Sequence, residues 1–157
     1  MKGRVVVLGV GNLLMGDEGL GIRCVEAVEK QPLPANVRCI DGGTSTHELL
    51  EDLENLDALL ILDAVASGKP PGTLVRLEDD QIPSAFSNKM SPHQHGINDL
   101  LATLKLLGRE PGHVVLIGVE PAIMKLSLEL SPLVLGVMPA MIALVSKELA
   151  ALSARAA

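Results

Sequence analysis

Aromatic side chains are almost missing from this 157-residue chain, which has no tryptophan, no tyrosine and a single phenylalanine, Phe86. With no stacking platform and a formal net charge of −6, it lacks both a surface for bases and a basic track for phosphates. Nucleic acid is therefore not an expected partner. Cysteine is scarce as well: Cys24 and Cys39 form no CxxC pair and fall in a predicted helix and a predicted strand. This argues against a disulfide framework or zinc knuckle and marks both as buried thiols. The amino-terminal MKGRVVVLGVG lacks the long apolar region and small-residue cleavage site of a signal peptide, so a cytoplasmic protein is expected. Long hydrophobic runs are missing too. The longest, Leu133 to Val145, is interrupted by Pro139 and falls short of the roughly 18 residues of a membrane span. It reads as a buried helix, and no membrane partner is expected.

What the chain does have is aliphatic side chains: 48% of its residues are hydrophobic and 20% are charged, enough for one domain spanning residues 1–157 with a proper core. Val5 to Val10 is a continuous aliphatic run, the signature of a strand covered on both faces. A helix from about Gly19 to Lys30 follows, with Leu20, Cys24, Val25 and Val28 on one face, and Pro32 and Pro34 stop it. Val37 to Ile40 is a second strand running into a turn at Asp41-Gly42-Gly43-Thr44. Ser45 and Glu48 fit a capping box for a helix whose stripe is Leu49, Leu50, Leu53 and Leu56. Ala58 to Leu62 is a third buried strand, ending at Asp63. Thr73 to Leu77 is a fourth, reached by a connection too short for a parallel crossover, so it is expected antiparallel and at an edge. Glu78 to Met90 shows no periodicity and offers, with Phe86, a candidate contact loop. Ser91-Pro92 opens a helix lined by Leu100, Leu101, Leu104 and Leu107, with His93 and His95 in its first turn. Val114 to Val119 is the fifth strand, and Ser131-Pro132 starts a final helix that Pro139 is expected to kink. The last residues, Leu152 to Ala157, are expected to fray.

Strands alternating with amphipathic helices imply a single doubly wound α/β domain: a mostly parallel, twisted five-stranded sheet with one antiparallel strand and helices on both faces. The segments Gly11 to Glu18 and Asp41 to Thr44, together with Asp63 and Glu120, each follow a predicted parallel strand. All then lie at the carboxyl edge of the sheet, where such folds bind ligands. His93 joins them, because a helix leading into a parallel fifth strand must begin at that edge.

Two chemistries compete for this edge. Gly9-x-Gly11 after a strand, with Asp41 ending the next one, suggests a dinucleotide site. The third glycine of that fingerprint is Leu14 here, and the helix start that would receive a pyrophosphate carries Asp17 and Glu18. Those carboxylates satisfy the helix dipole themselves and repel phosphate. The other reading gathers Glu18, Asp63 and His93 as two oxygen ligands and one imidazole for a divalent metal. Such a mixed set suits nickel, zinc or a similar borderline ion, and three protein ligands leave positions open for water or substrate. Each residue also has a plain explanation: Glu18 favours a helix start, Asp63 suits a turn, and His93 can be an exposed first-turn histidine.

Five segments in order resemble a known family: Gly9-Val-Gly-Asn-Leu-Leu-Met-Gly-Asp-Glu18-Gly, Asp41-Gly-Gly-Thr44, Leu62-Asp63-Ala64, Ser91-Pro-His93-Gln94 and Gly118-Val-Glu-Pro121. Together they are similar to the hydrogenase maturation endopeptidases, whose fold is phosphorylase/hydrolase-like. The resemblance implies a cytoplasmic protease that removes the carboxyl-terminal peptide of a nickel-iron hydrogenase large-subunit precursor after nickel insertion. It implies that Glu18, Asp63 and His93 bind metal and carry catalysis. Nickel arrives in the precursor and serves as the recognition element, no organic cofactor is needed, and Asp41, Gly42, Gly43 and Thr44 contact the precursor's tail. Asp17, beside the expected ligand, and His95, two residues after the other, have no assigned role. His47 and His113 read as surface or packing residues, and a monomer is expected. The alternative from another class is a non-catalytic chaperone that holds the precursor or delivers nickel, against which stands the lack of a histidine-rich tract among four histidines.

Overall fold

The computed structural model describes residues 3–43, 49–82 and 92–156, with 92–96 described by backbone alone. Strands β1 (Val5–Val10), β2 (Val37–Gly43), β3 (Ala58–Ala64), β4 (Leu74–Glu78) and β5 (Val114–Val119) form one sheet in the order β2-β1-β3-β5-β4. β1, β2, β3 and β5 are parallel, and β4 lies antiparallel on β5 at the edge. Helices α1 (Leu20–Glu29), α2 (Pro92–Leu106) and α3 (Pro132–Ala156) cover the sheet. This is the mostly parallel, five-stranded α/β architecture expected from the alternation of patterns.

The continuous apolar runs are divided between two cores by the two-residue period of a strand. Val5 and Val7, Leu60 and Leu62, and Val115 and Ile117 join Leu20, Cys24, Val25 and Val28 of α1 and the buried stripe of α3. Val6, Leu8, Leu59, Ile61 and Leu116 face the other way and pack with Ile97, Leu100 and Leu104 of α2. By length and composition α3 could cross a membrane, being 25 residues long with mean hydropathy 1.7 in its most apolar window. Here it lays Val134, Met138, Met141, Val145, Leu149 and Leu152 against the sheet, a helical stripe within the first core. Pro139 lies inside α3 on its exposed side. There the carbonyl of Leu135, which loses its helical partner, can meet water.

Several expectations change in detail. β2 continues through Asp41, Gly42 and Gly43, so these are strand residues rather than a turn. Asp63 belongs to β3, where it pairs with Gly118. The capping residues Ser45 and Glu48 lie outside the described residues, and after them the connection shows only a 3-10 turn, Glu51–Leu53, that buries Leu53. Leu107 is half exposed rather than part of the α2 stripe, because α2 ends at Leu106 and Gly108 follows in a left-handed conformation, φ +70°. From Leu152 to Ala156 the chain is helical and held to the rest of the fold. α3 runs to Ala156, whose carbonyl accepts a hydrogen bond from Gly3 N at 3.0 Å, and Leu152 is buried. Phe86 lies outside the described residues; Ile82, on the near side of that segment, is fully buried in the second core.

The close seat of α1 on the sheet depends on the lack of a side chain at Gly21. A Cβ there would collide with the backbone carbonyl oxygens of Leu62 and Val10, neither of which is a flexible side-chain end. Gly21→Ala should therefore destabilise the fold by about 1–3 kcal/mol, the usual cost of overpacking. Urea unfolding checks this, and an unchanged midpoint would contradict the packing described.

Candidate active site at the carboxyl edge of the sheet

Between β1 and β3 the strand order changes direction, and the segment after β1 folds into this crevice. Gly11 has φ +139°, and its N–H donates to the Gly43 carbonyl at 3.0 Å, joining this loop to the end of β2. The loop then closes on itself. Leu14 N donates to Asn12 Oδ1 at 2.9 Å, Met15 N to Asn12 O at 3.1 Å, and Asn12 N to Glu18 O at 3.2 Å. It ends in the 3-10 turn Gly16–Gly19, which carries Asp17 and Glu18 into the entrance of α1.

The two adjacent acids have different environments. Asp17 is wholly buried, and its carboxylate accepts four hydrogen bonds: from Ala122 N at 2.9 Å, Ile123 N at 2.8 Å, Ser131 N at 2.7 Å and Ser131 Oγ at 2.8 Å. Burial pushes its pKa up, but the hydrogen bonds from Ile123, Ser131 and Ala122, with the Ser131 hydroxyl, outweigh this and hold it below the ordinary value. Both of its oxygens are engaged in tying the segment 122–131 to the first loop. Asp17 thus shapes the turn from which Glu18 follows. Glu18 is 9% exposed.

Asp63 is fully buried near the carboxyl end of β3, and its Oδ1 accepts a hydrogen bond from Ala64 N at 2.8 Å. A Cβ on Gly11 would collide with the Glu18 carbonyl oxygen and stand 3.8 Å from Asp63 Oδ1. The backbone of Gly11 thus lies between the Glu18 main chain and the Asp63 carboxylate, which places both residues around the same loop. By strand alternation Asp63 is on the α2 side of the sheet, since Leu59 and Ile61 pack there. His93 is the second residue of α2, and its side chain is outside the described residues. Asp41 is exposed, with Oδ1 accepting from Gly43 N at 3.0 Å, and Gly42 is buried beneath Leu8 and Leu49. Thr44 lies outside the described residues.

Glu120, also at this edge, has another task. Its carboxylate accepts from Ser67 N and Gly68 N, each at 2.8 Å, and so secures the connection from β3 to β4 where it crosses the end of β5. One arrangement escaped the sequence reading. Among the described residues, the acids and histidines spaced closely enough to share a metal are Glu78, Asp79 and His113, at the opposite, amino edge of β5. Asp79 accepts from Val114 N at 2.8 Å and pairs with His113 Nδ1 at 2.9 Å, while Glu78 pairs with Arg76 at 2.5 Å. These contacts join the end of β4 to the start of β5, and no sequence motif could reveal them because antiparallel pairing alone brings residues 79 and 113 together. His113 is thus a side-chain partner of Asp79 that joins the end of β4 to the start of β5.

A family profile described as hydrogenase maturation protease matches residues 22–148. The hydrogenase 2 maturation protease of Escherichia coli K12 is 46% identical over 133 residues, covering 83% of this chain and 81% of that protein. The hydrogenase expression/formation protein HupD of Rhodobacter capsulatus is 51% identical over 120 residues, which is 75% of this chain and 57% of the longer relative. Among solved structures, the hydrogenase maturating endopeptidase HybD from Escherichia coli superposes with a TM-score of 0.86 at 42% identity, over 90% of this chain and 89% of that one. A NiFe hydrogenase maturation protease, HybD from Thermococcus kodakarensis, gives a TM-score of 0.77 at 25% identity, over 92% and 97%.

The buried Asp17 makes a stability prediction with a definite sign. Its folded pKa is depressed, so its contribution is present above the unfolded value of about 4 and is lost as pH falls through the lower folded value. Asp17→Asn should cost roughly 3 kcal/mol at neutral pH, since an amide nitrogen cannot accept the donors left behind. Below about pH 4 the variant's stability should vary less with pH than that of the parent. Denaturant titration at several pH values checks both, and parallel pH curves would contradict the clamp.

Proposed function

Since this chain belongs to the hydrogenase maturation protease family, we propose that it cuts the carboxyl-terminal peptide from a nickel-iron hydrogenase large-subunit precursor after nickel has been inserted. Peptide hydrolysis is the reaction class of the family, whose solved members are maturation endopeptidases. In this reading the catalytic and metal-binding residues are Glu18, Asp63 and His93, and the end of β2 at Asp41, Gly42 and Gly43, with Thr44 after it, receives the precursor's tail. The reaction is cytoplasmic, and it needs neither nucleic acid nor an organic cofactor.

The observation that supports the proposal is the placement of Glu18 and Asp63, both buried, around Gly11 at the crevice between β1 and β3. With an imidazole from the first turn of α2 they form a donor set suited to nickel or zinc. Nickel belongs here to the substrate, held by the precursor's own ligands, and on arrival it supplies Lewis acidity toward the scissile carbonyl or the attacking water.

The chain's own residues do the rest. The hydrogen bond from Ala64 N orients the Asp63 carboxylate, and the self-bonded loop fixes the backbone that carries Glu18. In hydrolysis water adds to the carbonyl carbon, the C–N bond breaks, and the departing amine takes a proton. A precursor without nickel would bring neutral thiols and no cation toward the two acids, and so would lack the attraction that the loaded precursor offers. Dependence on a loaded substrate follows from this electrostatic contrast.

Glu18→Gln, Asp63→Asn and His93→Ala should each lower processing of nickel-loaded precursor by more than about a hundredfold while the protein stays folded. Mass spectrometry of the precursor's tail checks it, and full activity in any variant removes that residue from the site. Nickel-free precursor should remain uncut. Cutting of loaded and unloaded precursor at equal rates would refute recognition through nickel.

A further inference from the structure

Nine large hydrophobic side chains are exposed among the described residues, and all but Leu106 and Leu107 belong to the first loop, the segment after β5 or the start of α3. Leu14 is on the first loop, Ile123, Met124, Leu126 and Leu128 follow β5, and two more start α3. Leu126 and Leu128 are 79% and 66% exposed. Exposed apolar side chains on segments that adjoin one another mark a candidate place of contact.

This shelf is built into the site. Gly16 N donates to Ser127 O at 2.9 Å, Asp17 N to Ile123 O at 2.8 Å, and Ser127 N to Leu14 O at 2.9 Å, a short parallel ladder around the Met15–Ser127 bridge. The Arg23 guanidinium of α1 donates to the Leu128 carbonyl. The Asp17 carboxylate holds Ala122, Ile123 and Ser131 from beneath. Glu18, the adjacent residue, therefore sits at the inner margin of the shelf. Between residues 121 and 130 the charged residues are Lys125 and Glu129, of opposite sign, so the surface suits an apolar partner of no particular charge.

We propose that this shelf of Leu14, Ile123, Met124, Leu126 and Leu128 is the docking surface for an apolar segment of the hydrogenase large-subunit precursor beside its cleavable tail. The proposal rests on the function proposed above. Continuity with the Glu18 turn selects this occupant, because a protein whose tail reaches Glu18 must cover the adjoining surface. Asp17 then has a positioning role: it keeps the docking shelf and the Glu18 turn in one rigid unit, so that seating the precursor on the first brings its tail to the second.

The test is the double variant Leu126→Ser, Leu128→Ser, with Leu106→Ser at the far exposed site as control, measured against nickel-loaded precursor. Direct binding of the precursor should weaken and KM should rise by about tenfold or more, with kcat within about twofold and thermal stability unchanged. The Leu106→Ser control should match the parent. Equal binding and KM in the double variant would overturn the proposal, as would a parent dimer that the double variant splits with processing unaffected, since the shelf would then belong to a second copy. If the parent binds precursor but cuts nothing, the protease reading fails while loss of binding in the double variant still upholds the shelf. A parent that neither binds nor cuts overturns both.

Discussion

Four hydrogen bonds on the Asp17 carboxylate hold the working end of this protein together. They join residues 105 to 114 positions apart in the chain: the first loop, the segment after β5 and the start of α3. A carboxylate taken out of water costs several kcal/mol unless its lone pairs are satisfied, so the arrangement is stable only when all of these pieces are present at once. Ser131 extends the connection, since its hydroxyl donates to Asp17 and accepts from Val134 N at 3.3 Å, capping the helix whose stripe fills the first core. The local turn that shows Glu18 to the crevice is in this way fixed by the packing of a helix more than a hundred residues away.

The crevice itself is a product of close packing. α1 lies so near the sheet that a Cβ at Gly9 would meet Val25 and the Gly21 carbonyl, and one at Gly21 would strike the carbonyls of Val10 and Leu62. With the helix drawn in, the preceding turn is carried over the ends of β1 and β3, and Gly11 is brought between the Glu18 carbonyl and the Asp63 carboxylate. Glycines that first suggest a phosphate cradle therefore serve the approach of backbone to backbone. The acids at the helix entrance, Asp17 and Glu18, are the charges that a phosphate there would meet.

Much of this was legible in the chain. The five aliphatic runs, each of four to six residues between turn signals, became the five strands, and the short connection before β4 correctly required an antiparallel edge strand. The carboxyl-edge placement of Glu18 and Asp63 followed from topology, because each follows or ends a parallel strand. Less legible was where strands stop. Asp41 and Asp63 look like turn residues by composition, yet both continue their strands, since ladder pairing with Gly9 and with Gly118 overrides local preference. The fraying expected after Leu152 failed for a similar reason: the hydrogen bond from Gly3 to Ala156 and the burial of Leu152 supply tertiary partners that no local pattern announces.

The sequence alone determined the class of fold, the edge at which chemistry can occur and the family to which the motifs point. These depend on periodicity and on short motifs, both of which are local along the chain. Tertiary structure alone decided the burial of Asp17 among four donors, the pairing of His113 with Asp79, and the joining of the first loop to the leucine-bearing segment after β5. Two neighbouring acids are equivalent in a sequence. They differ only when one of them meets donors brought from the far end of the chain, and that meeting exists only in the folded molecule.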